Sequence, residues 1–282
     1  MIVQQMEQPF CVIPPKGNRQ SQVIAASPHS GRKYLSHFIH QSNLSLQELR
    51  KVEDAGMDRL LTFQPLPSAL ILAEFPRSFV DLNRHPDEID HLMFDNPVHF
   101  ANKSVTRYLR SGLGVIPSKA ANQQDIYTDS LPAAEADFRL GQFYRPYHQE
   151  LEKLITMART QGHALLIDCH SMPSGLFGIH SDVIIGSNHG QSTLNWIVNE
   201  AQAYFTREGM TVKLNAPFAG GYITRHYGQP DNGVSALQIE ICRSLYLDET
   251  NQTLKDGWQE TASILTRFIM RMDEMMSRYK NG

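Results

Sequence analysis

Four short apolar runs limit what this chain can fold into: QVIAA (22–26), ALILAEF (69–75), ALLID (164–168) and ALQIEI (236–241). Each has the length of a buried strand and is too short for a core helix. Helical spacing separates them. In 133–162, Leu140, Phe143, Tyr147, Leu151, Leu154 and Ala158 recur at that spacing, Gly162 suits the stop, and Pro146 is placed to bend the helix. A second helix is expected near 189–208, ended by Gly209, and a closing one across 251–280. SLQELRKVEDAGMDRLL (45–61) also reads as a helix, opened by a Ser45/Glu48 capping box and threatened by Gly56. FVDLN (79–83) and 211–214 read as further short strands. Strands alternating with helices predict α/β layers around a mainly parallel sheet. No linker divides the chain, so residues 1–282 are expected to form a single domain.

Composition narrows the function classes. The formal net charge of −3 argues against a nucleic-acid face. No run approaches the ~18 apolar residues of a membrane span. MIVQQMEQPF lacks the basic-then-apolar pattern of a signal peptide. Cys11, Cys169 and Cys242 are too few and too scattered for a disulfide framework. A soluble, cytoplasmic chain is expected; its oligomeric state is not readable. Residues 85–130 hold no long periodic segment, which marks a long loop of a kind that is more often functional or mobile than inert.

The polar residues at the strand ends carry the chemistry. VIAA runs into Ser27, Pro28 and His29; FVDLN ends in Asn83 and Arg84; ALLID runs into Cys169 and His170. Ligands of open α/β sheets bind outside the carboxyl ends of the strands. His29 and His170 are therefore either ordinary structural histidines or two ligands of a metal ion, with a carboxylate as third donor. Asp54 and Asp58, four apart, would share a helix face and both qualify. In ALQIEI, Gln238 and Glu240 share one face, either as a solvated edge or with Glu240 as general base beside a metal-activated water. Arg77, Arg84 and Arg225 are candidates for binding a carboxylate or an oxyanion. Cys169 suggests a rival thiol mechanism, but on a strand it faces away from His170 and is better read as core. Met270, Met272, Met275 and Met276 likewise read as packing.

The segments SPHSGRKY, EDAGMDRLL, PRSFVDLNR, YRPYHQEL, LLIDCHSMPSG and GGYITRHYGQPDNGVSALQIEICRSLYLDE occur in the order found in a known family. In them the chain resembles the N-formylglutamate amidohydrolases, relatives of the zinc carboxypeptidases and aspartoacylase-like deacylases. The resemblance implies a three-layer, zinc-carboxypeptidase-like fold with a mixed, mostly parallel sheet between helices. It also implies hydrolysis of N-formyl-L-glutamate to formate and L-glutamate, in histidine breakdown, with one Zn2+ or another divalent ion per chain. By the same resemblance His29 and His170 would be metal ligands and Glu240 the general base. Arg77 would polarise the scissile carbonyl, and Asn83 with Arg84 would grip a substrate carboxylate. Arg225 is assigned a second carboxylate. One departure matters: the carboxypeptidases' His-x-x-Glu is absent, because position 32 is Arg. The acidic ligand then falls to Asp54, or to Asp58. The rivals are a deacylase of another N-acyl amino acid or a carboxypeptidase-type hydrolase, a metal-free binder of acidic metabolites, and a cysteine hydrolase.

Overall fold

A computed structural model describes residues 8–17, 20–98, 106–178 and 180–279. Most of MIVQQMEQPF, the stretch read as lacking a signal-peptide pattern, and residues 99–105 of the 85–130 stretch lie outside them. The chain divides into two compact units, each assembled from several segments. One comprises Met1–Cys11, Pro28–Glu53 and Ala73–Glu150; the other comprises Val12–Ser27, Asp54–Leu72 and Leu151–Gly282.

In chain order the elements are β1 (Phe10–Ile13), β2 (Val23–Ser27), α1 (Ser36–Gln41), α2 (Leu46–Arg50), α3 (Met57–Leu61), β3 (Ala69–Ala73), α4 (Arg107–Arg110), α5 (Ala134–Arg139) and α6 (Arg145–Arg159). There follow β4 (Ala164–Met172), β5 (Val183–Gly186), α7 (Asn195–Arg207), β6 (Val212–Leu214), α8 (Tyr222–Tyr227), β7 (Val234–Cys242), β8 (Leu247–Asp248), β9 (Thr253–Leu254) and α9 (Trp258–Arg278). Seven strands form one sheet in the order β1-β3-β2-β4-β7-β5-β6, and β8 and β9 form a separate pair. β2 runs parallel to β3 and β4, and β4 parallel to β7. β5 is antiparallel to β7 and carries β6 parallel to itself, so the sheet is mixed and mostly parallel. Among the described residues, no helix is long and apolar enough to cross a membrane.

The two longest strands, β4 and β7, lie side by side and are buried along their whole length. Alternation gives each strand two faces. Leu165, Ile167, Cys169, Leu237, Ile239 and Ile241 belong to the apolar cluster that α3, α7 and α9 complete. The opposite face carries Asp168, His170, Gln238 and Glu240, with α8 packed against β4 and β7. Magnitudes separate the two faces. Each aliphatic side chain stabilises by about 1.5–3 kcal/mol when buried. An unpartnered buried carboxylate would cost more than any one of them returns. The second face must therefore be an organised polar network.

Five local expectations are corrected. FVDLN is not a strand. Asp81 accepts the backbone N–H of Asn83 at 2.9 Å, and Phe79 N–H bonds Pro76 O at 3.0 Å. Such local bonds give the backbone an alternative to a ladder. The 45–61 segment is two short helices. The capping box at Ser45 is present, but Gly56 adopts φ +80° and ends any continuous helix. Asp54 consequently sits in a turn and Asp58 in the first turn of α3, so they share no helix face. The helix expected from 189 begins at Asn195, because His189 has φ 55°. The closing segment is helical only from Trp258, and Met270 is exposed while Met272 and Met276 are buried. The helix expected over 133–162 is α5 and α6 joined through one i→i+5 turn, Leu140–Tyr144, just before Pro146. A wide turn accommodates the missing N–H of a proline.

The other unit has an aromatic core of Phe38, Phe75, Phe79 and Phe143, with a buried arginine against it. Arg139 is fully buried; it donates to Glu135 (2.7 Å), Tyr127 Oη (2.7 Å), Gln41 (2.9 Å) and Phe79 O (3.3 Å). Arg139→Met would strand those acceptors, and a loss of about 3–5 kcal/mol is expected. A urea midpoint lowered relative to the unchanged chain checks this; an unmoved midpoint contradicts it.

Candidate active site and metal centre

His29 follows β2 by two residues and is buried, 2% exposed. Its Nε2 lies 2.7 Å from Asp81 Oδ1. The other Asp81 oxygen accepts Arg77 Nη2 at 2.8 Å and lies 3.8 Å from Arg84 Nη2. Burial alone would raise the Asp81 pKa, but Arg77, Arg84 and His29 outweigh it and hold the carboxyl well below its usual value. The anion thus gathers three residues singled out from the sequence.

Asn83 and Arg84 are held by their backbone. Tyr144 Oη donates to Arg84 O at 2.7 Å, and His148 Nε2 donates to Leu82 O at 3.0 Å. The Arg84 guanidinium donates to Leu113 O and Asn83 O and lies 4.0 Å over the Tyr108 ring. The YRPYH segment therefore serves to fix the loop that carries Asn83 and Arg84.

In the other unit, His170 lies within β4, two residues short of its end, and its register partner on β7 is Glu240. The solvated-edge reading of Glu240 is corrected: β7 lies between β4 and β5, and Glu240 is 7% exposed. Gln238 Nε2 donates to Glu240 Oε1 at 2.8 Å, while Gln238 Oε1 accepts the Gly221 N–H at 2.7 Å. His170 Nδ1 is 3.0 Å from Asp54 Oδ2, and its Nε2 is 3.0 Å from Asp168 Oδ1. Burial alone would lower the His170 pKa; Asp168, Asp54 and Glu240 together push it well above its usual value. Carboxylates that hold a proton on an imidazole would equally hold a cation.

His29, Asp54 and His170 are all buried, and one ligand atom from each lies within 4.8 Å of the other two. Asp58 is not part of this group. Two imidazoles and a carboxylate are a donor set that zinc and neighbouring transition ions accept. Each histidine has a further carboxylate on its ring, Asp81 or Asp168, the arrangement that orients metal-ligating imidazoles. By chemistry and spacing the residues fit a metal ion. Arg225, on α8, is exposed and donates to Gly220 O.

Residues 21–247 match the family model described as N-formylglutamate amidohydrolase. The chain belongs to the N-formylglutamate amidohydrolase family. It is a hydrolase of a linear amide. Its relatives include an N-formylglutamate deformylase of Pseudomonas aeruginosa, 33% identical over 72% of this chain and 75% of that one. Another, from Pseudomonas putida, is 31% identical over 88% of this chain and 91% of that one. The crystal structure of N-formylglutamate amidohydrolase from Ralstonia eutropha JMP134 superposes with a TM-score of 0.90 at 28% identity, covering 96% of this chain and 99% of that one. A gene product of Agrobacterium tumefaciens shares the fold at a TM-score of 0.67 and 19% identity, over 94% of each chain.

Within this family member, a thiol mechanism finds no support. All three cysteines are free thiols, and Cys169 lies in the apolar cluster on the face opposite His170. Burial, reinforced by Asp168, pushes its thiol well above the usual value, the reverse of what a thiolate nucleophile needs. Sequence reasoning gave no role to Asp81, Asp168, Ser171, Gln238 and Arg243, each of which holds a candidate site residue. The available signal was parity: Asp168 and Gln238 share strand faces with His170 and Glu240.

Proposed function

We propose that the chain hydrolyses N-formyl-L-glutamate to formate and L-glutamate, with one Zn2+ held by His29, Asp54 and His170. The observation that carries this reading is the pairing of His170 with Glu240 across adjacent parallel strands, a ligand beside a buried carboxylate. A bound zinc ion supplies Lewis acidity toward a water and toward the formyl oxygen. The rest falls to the chain. Glu240, with Oε1 engaged by Gln238, takes the proton of the attacking water on its other oxygen. The water oxygen bonds to the formyl carbon, and Arg77 offsets the negative charge that develops on the carbonyl oxygen. Glu240 returns the proton to the glutamate nitrogen as the C–N bond breaks. The substrate carries two carboxylates; Asn83 and Arg84 bind one, and Arg225 the other.

The reading is tested by following formate release from N-formyl-L-glutamate beside acetate and succinate release from the N-acetyl and N-succinyl analogues. Highest kcat/KM on the formyl compound, lost with a chelator and restored by zinc, is expected. Preference for a larger acyl group would assign the site to another N-acyl amino acid. Chelator-insensitive turnover would remove the metal.

A further inference from the structure

Asp54 lies on a turn, where neither a strand ladder nor a helix fixes its direction. A carboxylate so placed can give a cation one oxygen or both. Here the two oxygens are treated differently. Oδ2 faces His170 Nδ1 at 3.0 Å. Oδ1 accepts Ser171 Oγ at 3.2 Å and Arg243 Nη2 at 3.3 Å. Arg243 Nε also donates to Ser171 Oγ at 3.0 Å, so one guanidinium holds the carboxylate directly and through the serine. Arg243 and Ser171 are both buried. Three residues on, Tyr246 Oη donates to Ala55 O at 3.0 Å and secures the backbone beside Asp54. The turn that follows β7, the strand of Glu240, thus fixes both the side chain and the main chain at this position.

We propose that Arg243 is a positioning residue that makes Asp54 a one-oxygen ligand, presenting Oδ2 alone to the cation it shares with His170. Charge neutralisation would need only a cation near Asp54. The fork does more: two of its N–H groups occupy the Oδ1 side, a geometry lysine does not reproduce. This inference rests on the metal reading above and adds to it how the carboxylate is held.

The full chain is stripped of metal and titrated with Zn2+ against a chromophoric chelator, then with Co2+ followed by visible absorption. Wild type, Arg243→Gln, Arg243→Lys and Ser171→Ala are compared. Loss of an outer partner of a metal ligand typically weakens binding about 10–100-fold, and Arg243→Gln is expected in that range. Its Co2+ bands should also weaken, as a second Asp54 oxygen raises the coordination number. Ser171→Ala should shift both readouts the same way by less, and Arg243→Lys should leave the bands altered. Arg243→Gln matching wild type in affinity and spectrum overturns the inference, as does complete recovery of both by Arg243→Lys. If Arg243→Gln does not fold, Ser171→Ala decides: wild-type affinity and bands in that variant overturn it. A wild-type chain that takes up neither ion overturns the metal reading as well; wild-type uptake with unaltered variants overturns this inference alone.

Discussion

Glu240→Gln is expected to lower kcat/KM for formate release by roughly 10²–10⁴, the usual contribution of a general acid–base group. The substitution keeps shape and volume. The Oε1 position remains an acceptor for Gln238, so the contact that ties Glu240 to Gly221 through Gln238 survives. What is lost is the carboxylate able to take a proton and give it back. Metal content and thermal unfolding should stay close to wild type, which separates this outcome from collapse of the site. Turnover unchanged beside intact metal content would contradict the assignment of the base.

His170→Ala is the second large effect, and it acts on metal and activity together. Structural zinc sites with four protein donors bind with about 10–16 kcal/mol, so one donor accounts for roughly 3 kcal/mol, or a hundredfold or more in affinity. The metal-free variant should also be less stable. Asp54 and Asp168 each face the His170 ring at 3.0 Å, and its register partner is Glu240. Removing the imidazole leaves buried carboxylates without the group their charges stabilise. Elemental analysis of purified protein and a urea melt of the stripped chain check both parts. Full metal retention would take His170 out of the ligand set.

Much of the fold was legible because it depends on local pattern. The runs that became β2, β3, β4 and β7 stand out by apolar content, and α9 and the α5–α6 stretch by period. β1 and β5 were missed: four-residue runs such as VIIG have too few residues to establish a period. FVDLN misled because Val80 and Leu82 alternate with Asp81 and Asn83 as in a strand, while Asp81 satisfies the backbone locally. Asp58 stood as the alternative to Asp54 only while one helix was assumed to carry both; Gly56 in a left-handed conformation separates them. The candidate histidines were visible as polar residues where apolar runs end. Their partners were not. Asp81 is 52 residues from His29, and Arg243 is 189 from Asp54. Nothing in the sequence between them signals such a contact, because it arises only when separate strand ends and turns are folded together.

The most direct measurement is X-ray diffraction from crystals of the zinc-loaded chain, collected at the zinc absorption edge. The account predicts one anomalous peak about 2.0–2.2 Å from a nitrogen of His29, a nitrogen of His170 and Oδ2 of Asp54, with Glu240 beside it but not bonded. A peak bonded to other residues, or no peak at this group in protein that releases formate, would contradict it.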